Sequence, residues 1–215
     1  MIKRLFLAAL LLVAMAVSGC GDSRSHASAV YMLVDTSGSY AQEAGKAQMI
    51  INYLLGTLQA GDSLMVARVT SRSFSEKDII AKATFDSRPS QANAQKRAFR
   101  EQMETFTRTA RGSAYTDITG GLLQAIEFLK EKNPGHKEIL IFSDMKEDLA
   151  KGYVRNIPLD LKGFDVVALN VTKLRSDNFD PREYMSRLDT WRSKVEKGGG
   201  HWRVINDIDR LDGLL

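Results

Sequence analysis

Apolar positions along the chain follow two alternating periodicities. Short apolar runs, the pattern of strands, alternate with longer stretches in which apolar residues recur at i, i+3 and i+4, the pattern of helices. The strand pattern occupies 29–34, 63–70, 78–85, 138–142, 164–171 and 201–205. The helical pattern occupies 47–58, 90–107, 116–132 and 184–195. Strands and helices therefore alternate along most of the chain.

This alternation predicts an α/β fold with a doubly wound, mostly parallel sheet flanked by helices, because long helices provide the crossovers that parallel strands need. The third strand, 78–85, is more amphipathic than the others, which predicts a position at the sheet edge. Ligands of such sheets bind outside the carboxyl ends of the strands, where the strand order reverses. In the order 3-2-1-4-5-6, the first and fourth strands would be neighbours at that point.

The N-terminal residues have the pattern of a targeting segment. Lys3 and Arg4 precede an uncharged apolar run that is too short for a comfortable membrane span, and the run ends in Val17-Ser18-Gly19-Cys20. This end resembles the lipobox of a bacterial lipoprotein signal peptide, in which the cysteine carries the lipid. An ordinary signal peptide with an incidental cysteine is the alternative. We expect a signal peptide, a lipidated tether and a single domain, at 1–19, 20–28 and 29–215.

A lipid anchor at Cys20 would hold the domain at a membrane of the bacterial cell envelope, facing the periplasm. In the sorting pattern known for enterobacterial lipoproteins, aspartate directly after the lipidated cysteine favours the inner membrane. Here Gly21 stands at that position and Asp22 follows it, which slightly favours the outer membrane. Because Cys20 is the only cysteine, the folded part would contain neither a disulfide nor a thiolate metal site.

The charge balance excludes nucleic acid from the expected partners. The chain has 30 Lys and Arg against 26 Asp and Glu, and removal of 1–19 would take away two of the basic residues. The excess of two basic residues that is left is too small for a surface that binds a phosphate backbone. A basic cluster within 97–111 is interpreted as a solvated face, or as a contact to anionic lipid head groups.

Two predicted strands end in aspartate, and the residues around them offer oxygen ligands. Asp35 closes the first strand and Asp144 follows the fourth, so two carboxylates would converge if these strands are neighbours. Ser37 and Ser39 alternate with Asp35, which aims all three to one side of an extended chain. Thr116, at the start of a predicted helix, adds a hydroxyl. Hard oxygen donors without His or Cys suit Mg²⁺, Mn²⁺ or Ca²⁺.

Each of these parts also has a simpler structural interpretation. The loop after the first strand has the composition of a polar turn. Asp144 can cap a short helix, and Thr116 can cap the helix that follows it. Three acids near these positions are interpreted as solvated rather than as ligands, namely Asp117, Glu147 and Asp148.

Together the parts resemble the metal-ion-dependent adhesion site of von Willebrand factor type A domains. That family carries Asp-x-Ser-x-Ser after the first strand, a later Thr that opens a helix, and an Asp at the end of the fourth strand. The matching residues here are Asp35, Ser37, Ser39, Thr116 and Asp144. The resemblance covers 29–210 in element order and implies a Rossmann-like sheet. It implies that the two serines bind the metal directly, the threonine directly or through water, and the aspartates largely through water.

Two features of the sequence depart from the family pattern. Ser143-Asp144-Met145 stands where the family has Thr-Asp-Gly, and the loop before Thr116 has only Gly112 where the family often has two glycines. We expect Met145 to avoid a positive φ and to crowd the approach to the ion, because a side chain disfavours that backbone conformation.

The resemblance implies a non-enzymatic, protein-binding module of the adhesion or scaffold type. The open coordination position of the ion would accept a carboxylate from an acidic residue of the partner. A metal-dependent, phosphoesterase-like hydrolase is an alternative, but it needs a general base or a second metal, and no histidine is evidently placed for that role. The Gly-x-Ser-x-Gly motif of serine hydrolases is also missing from the sequence. A degenerate, metal-free scaffold that binds envelope partners is the third possibility.

Overall fold

Six strands and four α-helices alternate along the residues that the computed structural model describes, which are 26–38, 40, 43–110 and 112–215. The predicted signal peptide and Cys20 lie outside them. The strands are β1 Ser28–Asp35, β2 Ser63–Val69, β3 Ile79–Thr84, β4 His136–Phe142, β5 Asp165–Leu169 and β6 His201–Ile205. The helices are α1 Ala44–Thr57, α2 Pro89–Thr109, α3 Ile118–Lys132 and α4 Pro181–Lys197.

The strands form one sheet in the order β3-β2-β1-β4-β5-β6. All neighbouring pairs are parallel except β2 and β3, which are antiparallel. The predicted α/β class and the edge position of the third strand are confirmed, and the strand order is the 3-2-1-4-5-6 order that makes the first and fourth strands neighbours. Because β1 and β4 are neighbours and parallel, their carboxyl ends lie side by side. We call the side of the sheet where the parallel strands end its carboxyl edge, and Asp35 lies there.

The sheet is covered on both faces, as the apolar run of β1 predicts. Alternate residues of β1 contribute to two separate hydrophobic clusters, with Tyr31 and Leu33 in one and Met32 and Val34 in the other. The first cluster packs against α3 and α4, and the second packs against α1, α2 and the C-terminal residues around Leu214. The core is thus a three-layer sandwich with β1 and β4 at its centre.

The predicted start of one helix and one alternative interpretation of Asp144 are wrong. Helix α3 begins at Ile118 rather than at 116, because Asp117 is its N-cap and accepts the backbone N–H of Gly120 at 2.8 Å. Asp144 does not cap a helix, since the connection from β4 to β5, which is described throughout 143–164, contains no helix. The segment between β4 and β5 is therefore an extended loop, and it begins at the carboxyl ends of the parallel strands.

Candidate metal site

The carboxylate of Asp35 connects the ends of β1 and β4. It is 3% exposed, and its two oxygens accept hydrogen bonds from the segments that follow these two strands. Oδ1 accepts the backbone N–H of Ser37 at 2.8 Å, and Oδ2 accepts the hydroxyl of Ser143 at 2.6 Å. These bonds turn the chain directly after β1 and fix the loop against the neighbouring strand.

Asp144 lies at the end of β4, next to Asp35, and is also 3% exposed. Its Oδ1 accepts the backbone N–H of Lys146 at 2.8 Å. The pKa of Asp144 is raised from its ordinary value, mainly by burial and further by the negative charge of Asp35, against the opposing effect of the Lys146 hydrogen bond. The two predicted carboxylates therefore meet at the sheet edge and interact unfavourably.

The expectation for Met145 is wrong in both respects. Its φ is +62°, a left-handed conformation that side chains disfavour, and the residue is fully buried within the core cluster on the α3–α4 side. Two hydrogen bonds hold the strained backbone, from its N–H to the Ser143 hydroxyl at 3.0 Å and from the Trp191 indole to its carbonyl at 2.8 Å. The side chain thus anchors the segment from inside.

The loop before α3 brings Thr116 to the same edge of the sheet. Ser113 forms a parallel bridge with Ser37, and its N–H donates to the carbonyl of Thr36 at 2.9 Å. Thr116, which is buried, pairs with Asp148 in an antiparallel bridge through two backbone hydrogen bonds of 2.7 and 3.0 Å. The loop therefore lies between the segments that follow β1 and β4. Ser39 lies outside the described residues.

The pair Asp117–Arg155 is a feature that the sequence analysis missed. The prediction that Asp117 is a solvated acid is wrong, because its side chain is fully buried and forms an ion pair with Arg155 at 2.9 Å. The same guanidinium donates to the carbonyl of Ser73 at 2.8 Å, so it joins the loops after β2 and β4 to the start of α3. A Cβ on Gly120 would lie 2.7 Å from the Asp117 Cγ, so the buried carboxylate leaves room only for glycine at this position of the first helical turn.

Glu147 was also interpreted as a solvated acid, and this is wrong for its carboxylate. The side chain accepts the backbone N–H of Thr119 at 2.6 Å in the first turn of α3 and lies 3.5 Å from the ammonium group of Lys194. Such a carboxylate at a helix N-terminus is favourable to the helix dipole. Glu147 therefore fixes the segment after Asp144 to α3. Asp148, by contrast, is exposed as expected.

A second buried ion pair supports the other side of the site. The guanidinium of Arg187 on α4 binds both carboxylate oxygens of Asp177, at 3.1 and 2.8 Å, and lowers the pKa of Asp177 through these hydrogen bonds. Its Nε also donates to the main-chain carbonyl of Asp144 at 2.9 Å. The loop after β5 is thereby attached to the backbone of the candidate site.

The chemistry of this edge suits a hard divalent cation. Among the described residues, no Lys, Arg or His forms an ion pair with Asp35 or Asp144, although both carboxylates are buried. The positive charges of Arg187 and Lys146 lower the pKa of Asp144 by less than burial and the charge of Asp35 raise it, so a further positive charge between the two carboxylates would be favourable. In the same part of the chain no group of three or more His, Cys, Asp and Glu side chains is arranged to hold a metal, so hydroxyl oxygens would have to complete the coordination.

Comparisons with known proteins agree with the fold. No protein-family model and no curated protein matches the sequence. The structure is similar to a von Willebrand factor type A protein from Catenulispora acidiphila, with a TM-score of 0.54 and 15% identity over 85% of this chain and 39% of that one. It is also similar to the pilus adhesin SpaC from Lactobacillus rhamnosus GG in its open conformation, with a TM-score of 0.53 and 14% identity over 88% of this chain and 29% of SpaC.

Because the sequence identities are only 15% and 14%, the similarity to these two proteins establishes the fold alone. The fold is that of a von Willebrand factor type A domain. The chain spans less than half the length of either of these two proteins. None of the helices in the described part of the chain is long and apolar enough to cross a bilayer.

Proposed function

We propose that this protein is a lipid-anchored module of the bacterial cell envelope that binds a partner protein through a divalent metal ion. The observation that carries the proposal is the meeting of Asp35 and Asp144, two buried carboxylates that form no ion pair among the described residues, at the switch point of a von Willebrand factor type A fold. In open α/β sheets this crevice is the place where ligands bind.

The proposed ligands are the residues that the sequence predicts, Asp35, Ser37, Ser39, Thr116 and Asp144. Mg²⁺ suits this set of hard oxygens, and Mn²⁺ or Ca²⁺ could replace it. When bound, the ion would supply an open position for a carboxylate of the partner. The role of the protein is to hold these oxygens in place. The carboxylate of Asp35 accepts the backbone N–H of Ser37, and the hydroxyl of Ser143 donates a hydrogen bond to the same carboxylate.

The placement of the histidines favours a binding role over hydrolysis. His136 and His201 begin β4 and β6, and His26 comes shortly before β1. All three therefore lie towards the amino ends of the parallel strands, at the opposite edge of the sheet from Asp35. A metal-dependent hydrolase would need a general base beside the ion, and histidine is the commonest choice. We therefore propose a non-enzymatic module.

The proposed anchor would orient the site away from the membrane. Strand β1 begins at Ser28, eight residues after Cys20, and it ends at Asp35. A strand of this length spans about 26 Å at roughly 3.3 Å per residue. A bilayer attached through Cys20 would face the amino edge of the sheet, and the metal site would point into the periplasm. The outer membrane is the favoured location because Gly21 follows the cysteine.

Substitution of the lipidated cysteine tests the anchor. Cys20→Ser is expected to abolish acylation and to release the protein from the membrane fraction, because no other residue of the predicted signal can carry the thioether-linked lipid. The measurement is fractionation of cells after high-salt and carbonate washes, with metabolic labelling by a fatty acid. A Cys20→Ser protein that remains in the washed membranes would show that the anchor is assigned wrongly.

Ser37→Ala tests the binding mechanism. We expect this change to weaken divalent-ion binding and partner capture together, because one hydroxyl oxygen would serve both. Ion binding is measured by titration calorimetry, and partners are captured by crosslinking on native membranes with and without EDTA. Ser87→Ala, an exposed serine after β3 at the opposite edge of the sheet, is the matched control. Partner capture that survives both EDTA and Ser37→Ala would support the metal-free scaffold instead.

A further inference from the structure

Two phenylalanines are exposed at the edge of the sheet that carries the candidate metal site. Phe179 is 91% exposed, and Phe74 is 48% exposed. Phe74 lies in the loop that follows β2, and Phe179 lies in the loop that follows β5. Both strands run parallel to β1, so both loops emerge at the same edge as Asp35.

Each of these loops is fixed by one of the two buried ion pairs. The Arg155 guanidinium, held by Asp117, binds the carbonyl of Ser73, the residue before Phe74. Phe74 itself has a φ of +83°, a strained conformation for a bulky residue that persists only where its surroundings enforce it. On the other side, Asp177 is held by Arg187, and Phe179 closes the same short turn through its N–H to the carbonyl of Ser176 at 2.9 Å.

Exposed aromatic side chains on rigidly held loops are typical of contacts with a partner. A large apolar side chain gains nothing from exposure to water, and a loop under no other demand could turn it inward. Here the buried ion pairs hold both loops with the rings outside, and at Phe74 the strained backbone holds the ring there as well. Their common position at the ligand-binding edge points to a single surface centred on the candidate metal site.

The strand order sets the spacing of this surface. Strands β2 and β5 lie immediately outside β1 and β4, so one phenylalanine loop stands on either side of the two carboxylates. Neighbouring strands are about 4.8 Å apart, which separates the ends of β2 and β5 by about 14 Å. An extended peptide advances about 3.3 Å per residue and points alternate side chains to the same side. Five residues of such a peptide, joined by four steps of about 3.3 Å, therefore span the distance between the two strand ends, with the third residue above the metal site.

We propose that the partner presents an extended segment in which Asp or Glu is flanked, two residues away on each side, by an apolar residue. The acidic side chain binds the metal, one apolar side chain packs on Phe74 and the other packs on Phe179. This inference rests on the proposed function and specifies the chemistry of its partner. It makes the two phenylalanines specificity-determining residues of the site.

A library of displayed random dodecapeptides tests the proposal on the immobilised full chain in millimolar Mg²⁺, with elution by EDTA. The recovered peptides are expected to carry an acidic residue with apolar residues at both second neighbours. Phe74→Asn should lose the preference on one side and Phe179→Asn on the other. Each change is expected to weaken binding of the consensus peptide about tenfold. Asparagine is chosen because it tolerates the positive φ at position 74 better than other polar residues.

Met49→Gln, which alters an exposed apolar residue on α1, is the matched control and should leave the preference unchanged. Thermal melts of all three variants are expected to resemble that of the wild type, since the replaced side chains are exposed. Peptides that carry an acid without flanking apolar residues would overturn the proposed surface and leave the metal-dependent function intact. If no EDTA-eluted peptides are recovered, the proposed function and this surface are both wrong.

Discussion

Arg155→Ala is expected to lower the free energy of unfolding by about 3–5 kcal/mol, because it leaves a buried charge without its partner. Asp117 is completely buried, and the Arg155 guanidinium is its only ion-pair partner among the described residues. The same change also removes the bond to the Ser73 carbonyl. For a domain of this size the loss corresponds to a fall in melting temperature of about 10 °C or more. Thermal and urea unfolding of the variant measure it.

Two further variants separate this effect from a general loss of charge. Arg182→Ala removes a similar Arg–Asp contact, at 2.8 Å to Asp180, but the Arg182 side chain is 90% exposed. We expect this change to leave the free energy of unfolding nearly unchanged, because water screens the exposed pair. Adding Asp117→Asn to Arg155→Ala should recover part of the lost stability, since asparagine removes the buried charge and keeps an oxygen for the Gly120 N–H. An Arg155→Ala protein as stable as Arg182→Ala would contradict the role of the buried pair.

Addition of Mg²⁺ is expected to raise the melting temperature of the wild-type protein by roughly 5–10 °C. An ion that binds only the folded state adds about 2.7 kcal/mol when its concentration exceeds Kd a hundredfold. The ion would also relieve the repulsion between Asp35 and Asp144, which contributes to the raised pKa of Asp144. The measurement is a thermal melt in EDTA and in millimolar Mg²⁺ or Mn²⁺.

Asp35→Asn should remove most of this metal-dependent rise. In EDTA the variant is expected to melt close to the wild type, because the loss of one of two adjacent negative charges offsets the weaker hydrogen bonds to Ser37 and Ser143. Asp86→Asn is the control, since Asp86 follows β3 at the opposite edge of the sheet and should retain the full rise. A wild-type melt that is indifferent to the ion would leave the metal site without support.

The order of the elements and the place of the candidate site were predictable from the sequence. The apolar run of β1 has no polar face, which requires cover on both sides and therefore a sheet between helices. Asp35 and Asp144 each come directly after such a run, and parallel neighbouring strands bring their carboxyl ends together. These inferences depend only on local periodicity and on the position of a residue relative to its strand.

The supports of the site were decided by tertiary structure. Asp117 and Arg155 are 38 residues apart, and nothing in the local pattern around either residue distinguishes a buried ion pair from two solvated charges. The positive φ of Met145 is likewise enforced from a distance, since its carbonyl accepts the Trp191 indole N–H, 46 residues further along the chain.

The exposure of Phe74 and Phe179 has the same origin. Hydrophobicity alone would place both rings in the core, as it correctly does for Phe99 on α2 and Phe142 on β4. A periodic pattern determines which face of a helix or strand is buried, because the geometry of the element repeats along it. Loops have no such repeat, so the direction of their side chains follows from ion pairs and hydrogen bonds to other segments, which exist only once the chain has folded.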